Sequence, residues 1–410
     1  MHESYRAVKL TDRVYWVGAI DWAIRDFHGY GTTRGTTYNA YLVLADKVTL
    51  IDTVKAPFHQ EMMARIASVI EPAEINTIVS NHSEMDHSGC LPQMIEAVRP
   101  ERVFASLFGV KHLEAHFHMK GGITPVKDGE AVSLGNMNLT FLETRMLHWP
   151  DSMIAYLAEE GILFSQDGFG QHLATSERFA DELPEDVLRY EAAKYYANIL
   201  MPFSAVVTKI LARLAGMNLP LKIIAPDHGP VYRKNVNWII DLWREWAALK
   251  PTTKAVIVYD TMWQSTARMA EVVVEGLLAG GATSVKVMPA RESTRSDIAT
   301  ELLEAGALLV GSPTLNNQMF PPLADVLCYL AGLRRLNLVG AAFGSYGWSG
   351  EAVPHIENAL RAMKVDLAAE GLKTFYVPDE AALAQCRALG WKVGAALKEH
   401  CSPKAAEPGA

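Results

Sequence analysis

Cysteine is scarce in this chain: four in 410 residues (Cys90, Cys328, Cys386, Cys401), scattered and with no C-x-x-C pair. That excludes a disulfide framework and a cysteine-ligated iron–sulfur or rubredoxin-type centre. Positive charge is also short. Lys and Arg number 38 against 46 Asp and Glu, a formal net charge of -8. A binder of phosphate backbones needs the opposite balance, so no nucleic-acid partner is expected. No contiguous apolar run approaches the roughly 20 residues of a membrane helix, and no membrane partner is expected. The opening Met1-His2-Glu3-Ser4-Tyr5-Arg6 lacks the apolar core of a signal peptide, and a cytoplasmic location is expected. What remains is ordinary for a globular protein, half hydrophobic and one fifth charged, long enough for two or three domains.

The style of the chain changes near residue 250. Before it, short apolar runs alternate with turns and a few helical patterns, among them strands at 38–44, 75–81, 139–143, 162–165 and 221–225. Many strands with interspersed helices read as sheets covered by helices. After Lys250-Pro251-Thr252-Thr253, near-continuous apolar strands alternate with helices. That rhythm predicts a parallel, doubly wound sheet of five strands, the flavodoxin-like variant. The expected division is 1–250, 251–400 and a frayed tail over 401–410.

The densest chemistry is Asn81-His82-Ser83-Glu84-Met85-Asp86-His87-Ser88-Gly89, directly after an apolar strand. Packed carboxylates repel unless cations neutralise them, so the run reads as a metal site. If the backbone stays extended, His82, Glu84 and Asp86 fall on one side. Three more candidates each sit where another strand has just ended: His148, Asp167 and His228. Four His and three carboxylates suit two metals better than one. His112, His116 and His118 lie on a predicted helix without a carboxylate at a strand end, and read as ordinary capping or hydrogen-bonding residues.

The first loop of the C-terminal half, Thr261-Met262-Trp263-Gln264-Ser265-Thr266, lies between strand and helix. It offers hydroxyls and free backbone N–H groups at a helix start, a phosphate cradle without Lys or Arg. It is neither a Walker loop nor a G-x-G-x-x-G fingerprint, which disfavours a nucleotide triphosphate or NAD. Two later loops carry Pro313, Thr314, Leu315, Asn316 and Asn317, and Ser345, Tyr346, Gly347, Trp348, Ser349 and Gly350. Their amides and aromatics suit the edges and face of an isoalloxazine, and FMN is the expected cofactor.

The metal constellation resembles the metallo-β-lactamase superfamily, whose common zinc form reads His-x-His-x-Asp-His followed by distant His, Asp and His. Here Glu84 stands at the second histidine position. A hard anionic oxygen donor in place of an imidazole favours iron over zinc. Joined to a flavodoxin-like half, the chain resembles a flavodiiron protein (A-type flavoprotein) from about Arg6 to Leu397. The motifs that carry this are Asn-His-x-Glu-x-Asp-His-x-Gly at 81–89, Leu-His-Trp-Pro-Asp-Ser at 147–152, Gly-Gln-His at 170–172, Ala-Lys-Tyr-Tyr-Ala-Asn at 193–198 and the three flavin loops. The resemblance implies an N-terminal αββα sandwich. It implies one iron on His82, Glu84 and His148, a second on Asp86, His87 and His228, and Asp167 as bridge. The analogue of His87 does not always bind metal in this family. His28 and Tyr195, with Trp348, are implied to shape the pocket or donate protons.

The implied activity is reduction of O2 to water or of NO to N2O. Electrons come from rubredoxin, reduced coenzyme F420 or another separate donor, pass through FMN, and reach the irons. Domains of ~250 and ~150 residues have radii of gyration of roughly 18 and 15 Å. Cofactors at outer loop edges would then lie some 30 Å apart within one chain. The family's answer is a head-to-tail homodimer, or a dimer of such dimers. Two rival readings stand beside this: a zinc hydrolase with a flavodoxin-like appendage, and an electron carrier whose metal domain is only structural.

Overall fold

The computed structural model describes residues 5–402. The expected tail lies outside them from residue 403 on, while Cys401 closes a helix, Glu380–Cys401. By internal contacts the chain divides into two compact units. The first runs to Tyr196 and includes Ala205–Arg244; the second comprises Ala197–Ser204 and the chain from Glu245 onward.

The first unit is built on two sheets. One has seven strands in the order Val8–Lys9, Val14–Trp16, Tyr41–Val43, Thr49–Ile51, Thr77–Ser80, Arg102–Ser106, Thr124–Val126, antiparallel up to Thr49–Ile51 and parallel after it. The other has five: Ala131–Ser133, Asn138–Glu143, Met153–Leu157, Ile162–Gln166 and Ile223–Pro226, antiparallel except for the last pair. Alternation along the strands assigns each side chain to a layer. Tyr41, Val43, Ile51, Val79 and Phe104 face Phe141, Ala155, Phe164 and Ala225 between the sheets. Leu42, Leu50, Ile78 and Val103 point the other way, onto Met62 and Ile66 of helix His59–Ala67 and Met94 of helix Leu91–Val98. Sheets sandwiched between helices are the αββα architecture.

Three expectations need correction. The strand predicted over 38–44 is broken at Asn39-Ala40 into Thr36–Tyr38 and Tyr41–Val43, because Asn39 N donates to Asp227 O (2.7 Å) instead of a ladder partner. The metal run is not extended throughout: after Glu84 the chain turns into a short helix, Met85–Ser88. Last, the helical run Glu185–Gly216 has an 18-residue window of mean hydropathy 1.5, so by length and composition it passes the test for a membrane span. Its middle is buried in the fold, with Tyr195, Tyr196, Ala197, Leu200 and Met201 all at 1 % exposure or less.

The second unit is a parallel sheet in the order Ser284–Pro289, Thr252–Tyr259, Ala305–Gly311, Val339–Tyr346. The fifth position is shared by two short strands, Asp366–Leu367 and Leu372–Phe375, each pairing a different part of Val339–Tyr346. Helices Ser265–Gly280 and Glu380–Cys401 pack closely on one face. A Cβ at Gly276 would sit 2.2 Å from Arg387 O, so this approach needs glycine. The order reverses beside Thr252–Tyr259, which puts the loops after that strand and after Ala305–Gly311 at the crevice where such sheets bind ligands.

Candidate metal centre and flavin loops

Strands Asn138–Glu143, Ile162–Gln166 and Ile223–Pro226 run in one direction and release their loops at one edge of the second sheet. The loop after Thr77–Ser80, in the facing sheet, meets them there: Met153 N donates to Asn81 O at 2.9 Å. Each loop is braced. Asp52 accepts both N–H (2.7 Å) and Nδ2 (2.5 Å) of Asn81, and Thr53 Oγ1 donates to His87 O at 2.6 Å. Asn39 Nδ2 donates to Pro226 O and Gly229 O, holding the turn that carries His228. The Gln166 amide holds Leu147 O, beside His148.

The seven sequence-predicted ligands converge as two sets. His82 Nε2 lies 3.2 Å, and His148 Nε2 2.9 Å, from Asp167 Oδ2; His148 Nε2 is also 3.3 Å from Glu84 Oε2. On the other side, His87 Nε2 and His228 Nε2 are each 3.2 Å from Asp86 Oδ2 and 3.5 Å from Asp167 Oδ1. The two oxygens of Asp167 thus face different sets. The helical turn at Met85 takes Asp86 and His87 off the extended line of His82 and Glu84, and the sets remain adjacent: ligand atoms of His82, Asp86 and His87 all lie within 4.8 Å of one another. His87 turns its Nε2 inward, toward Asp86 and Asp167.

The donor set fits cations. His87 Nε2 and His228 Nε2 stand 3.0 Å apart. Thr37 O lies 2.6 Å from His228 Nδ1, and a carbonyl only accepts, so Nδ1 carries a proton and Nε2 is the nitrogen left to face the centre. Asp86 and Asp167 are buried with all four carboxylate oxygens lacking hydrogen-bond partners. Burial pushes the Asp167 carboxyl up, but the His82 and His148 imidazoles outweigh it and hold it well below the usual range. Burial likewise opposes charge on His82, and Asp167, Asp227 and Glu84 override it and raise its pKa well above the usual value. The cluster demands positive charge, which two metal ions would supply. Only Glu84 (12 %) and His148 (18 %) keep appreciable side-chain exposure, so the Glu84 set is the accessible one.

His28 lines a cavity of about 530 Å³ with Asp26, Lys55, Glu84, Met85 and Asp86. Tyr195 is buried, its ring 6.0 Å from His228 and 5.0 Å from His172. His172 was noted in sequence only as part of Gly-Gln-His. It is buried, with Nδ1 2.8 Å from Thr36 Oγ1 and its ring 4.6 Å from His228. Lys55 and Asp227 were missed. The signals for them were present: Asp227 directly precedes His228, and Lys55 follows the Asp52-Thr53 pair that clamps the metal loop. His112 lies 3.4 Å from Asp151 Oδ1, and His116 packs near Trp149, outside the two sets.

In the second unit the three predicted loops meet. Thr266 Oγ1 is 3.1 Å from Ser345 Oγ, Thr314 N donates to Ser345 O, and Ser349 Oγ reaches Asn317 Oδ1. Asn316 and Asn317 adopt φ of 52° and 57°, turning the second loop tightly. Thr261 Oγ1 is buried without a partner, while Trp263 and Trp348 are both 84 % exposed. Neutral donors at the start of helix Ser265–Gly280, flanked by indoles, fit a phosphorylated flavin.

Comparison with known proteins agrees. Residues 36–229 match the ODP family beta lactamase model and residues 257–390 the flavodoxin model. The chain is 46 % identical to a nitric oxide reductase of Moorella thermoacetica, over 96 % of this chain and 99 % of that one. The solved rubredoxin oxygen:oxidoreductase of Desulfovibrio gigas superposes with a TM-score of 0.95 at 44 % identity, covering 97 % and 100 % of the two chains. The flavodiiron protein of Giardia intestinalis gives 0.92 at 33 % identity, covering 98 % and 99 %. With both domain models matched, and relatives similar over almost their whole length, the chain belongs to the flavodiiron proteins, oxidoreductases that use FMN and a pair of irons.

Proposed function

We propose that this chain reduces O2 to water, NO to N2O, or both, at two irons held by residues of its first unit. His82, Glu84 and His148 would hold one iron and Asp86, His87 and His228 the other, with Asp167 shared between the two sets. The observation that carries this is the division of Asp167: Oδ2 toward His82 and His148, Oδ1 toward His87 and His228. When bound, the irons supply electrons and Lewis acidity to a small neutral gas.

The remaining work falls to side chains. Reduction of O2 consumes four electrons and four protons; joining two NO into N2O and water consumes two of each. His28 and Lys55, in the cavity beside Glu84, are placed to hand protons inward from solvent. Tyr195, buried with its ring near His228 and His172, would keep water from that side of the centre. Thr261 to Thr266, Pro313 to Asn317 and Ser345 to Gly350 form the flavin cradle. The diiron domain is read as residues 1–250 and the flavin domain as 251–400.

Rubredoxin or another separate carrier such as reduced F420 is the proposed donor, since a relative is named for rubredoxin. All four cysteines are free, which suits a reducing cytoplasm. A head-to-tail homodimer is proposed to bring one copy's flavin to the other's irons; full turnover by a stable monomer would sink that arrangement. Metal analysis of anaerobically purified protein should find two Fe and one FMN per chain. Parallel anaerobic NO and aerobic O2 assays with one donor then rank the substrates. Two Zn and no Fe, with neither gas consumed, would reject the reading.

A further inference from the structure

Asp227 is the carboxylate at the centre that the ligand assignment leaves without a task. It is fully buried, and neither side-chain oxygen has a hydrogen-bond partner. Its Oδ2 lies 3.8 Å from His82 Nδ1 and 3.7 Å from His87 Nδ1. One oxygen therefore stands between two imidazoles whose ring centres are 5.1 Å apart. Both Nδ1 atoms are themselves buried and unpartnered. The contrast with His228 is direct, because Thr37 O already takes its Nδ1.

The neighbours leave Asp227 alone in this position. Asp52, the other buried carboxylate nearby, is occupied by Asn81 through both oxygens. The Asp227 backbone is pinned on both sides, its N–H donating to Gln166 O at 2.9 Å and its carbonyl accepting from Asn39 N at 2.7 Å. An imidazole that binds metal through Nε2 must carry its proton on Nδ1, and a buried Nδ1–H needs an acceptor. The two histidines that face Asp227 belong to different irons in the assignment above.

We propose that Asp227 is a positioning residue shared by the two metal sites, orienting one imidazole ligand of each iron and so coupling the loading of one iron to that of the other. The distances of 3.7 and 3.8 Å exceed a hydrogen bond. Asp227 Oδ2 is still a buried, unpartnered acceptor that both Nδ1 atoms approach. This inference rests on the proposed ligand set.

The test is anaerobic Fe²⁺ titration of metal-free, FMN-loaded protein, with FMN content reporting that the chain is folded. Wild type is expected to take two irons in one cooperative transition. If wild type does not take two, the ligand set itself is at fault. With two irons in wild type, Asp227→Asn is expected to weaken both sites together by about 10–100-fold. Unchanged affinity, or a loss confined to one iron, overturns the proposal. Asp227→Glu keeps the carboxyl group and is expected to bind both irons more tightly than Asp227→Asn; equal affinity overturns it. Should the Asn variant fail to fold, the Glu variant is judged alone: joint uptake of two irons supports the proposal, and stepwise uptake overturns it.

Discussion

The two cofactor sites solve opposite problems. The metal centre is dry: Asp86, Asp167, His82, His87 and His228 are all buried, and opposed charges set the protonation of Asp86, Asp167 and His82. The flavin loops are open, with neutral hydroxyls and amides at their base and two exposed indoles beside them. A buried cluster of carboxylates and imidazoles is unstable without cations, so its side chains must be placed before the metal arrives, and loop-to-loop hydrogen bonds do that work. A surface cradle tolerates vacancy because water satisfies its donors. Deleting one group should therefore do collective damage at the first site and local damage at the second.

The largest expected effect comes from Asp167→Ala. Removing the residue that faces both sets should strip both irons, by more than ~100-fold in affinity, and take NO and O2 turnover to background. FMN content should stay at wild-type level. Iron by elemental analysis and flavin by absorbance on one sample check this; an Asp167→Ala protein that keeps one tightly bound iron would show that the two sets are independent.

A smaller and strictly local effect is expected from Thr266→Val. Thr266 is buried at the start of helix Ser265–Gly280 and touches Ser345. Losing one donor to a phosphate costs about 1.5–3 kcal/mol, or roughly tenfold or more in FMN affinity. Iron content should not change. Fluorescence titration of the apoflavoprotein with FMN measures it, and a parallel loss of iron would contradict the separation of the two sites.

Much of this contrast was legible in the sequence, for a physical reason. Charged ligands crowded after a strand have few structural excuses, so His82, Glu84, Asp86 and His87 stand out within nine residues. His148, Asp167 and His228 follow because each ends a strand. What could not be read was anything that depends on distance across loops. Asp227 is one carboxylate among 46 acidic residues until its oxygen is seen between two imidazoles. The break at Asn39 within an apolar run, and the helical turn at Met85, are also tertiary: each exists because a partner from another loop takes the backbone or the side chain. In the second unit the strand-and-helix rhythm fixed the sheet well. The fifth strand was blurred, since its two halves pair separate parts of one neighbour.

The smallest effect separates a histidine among carboxylates from one without them. His82 is held protonatable by Asp167 and its neighbours, against burial. His59, half-buried with Nε2 lacking a partner, has no such support, and burial alone lowers its pKa below the usual 6.5. In the unfolded chain His59 takes up its proton first as pH falls. Stability from this residue is therefore complete above the unfolded pKa and is lost as pH drops through it toward the lower folded value. His59→Gln should flatten the pH dependence of the denaturant midpoint between pH 7 and about 5 by less than one proton's worth of slope, leaving iron and FMN content unchanged. A variant whose slope matches wild type would show that solvent reaches His59 as freely in the folded chain as in the unfolded one. His82 would then be the one member of this pair whose protonation the fold controls.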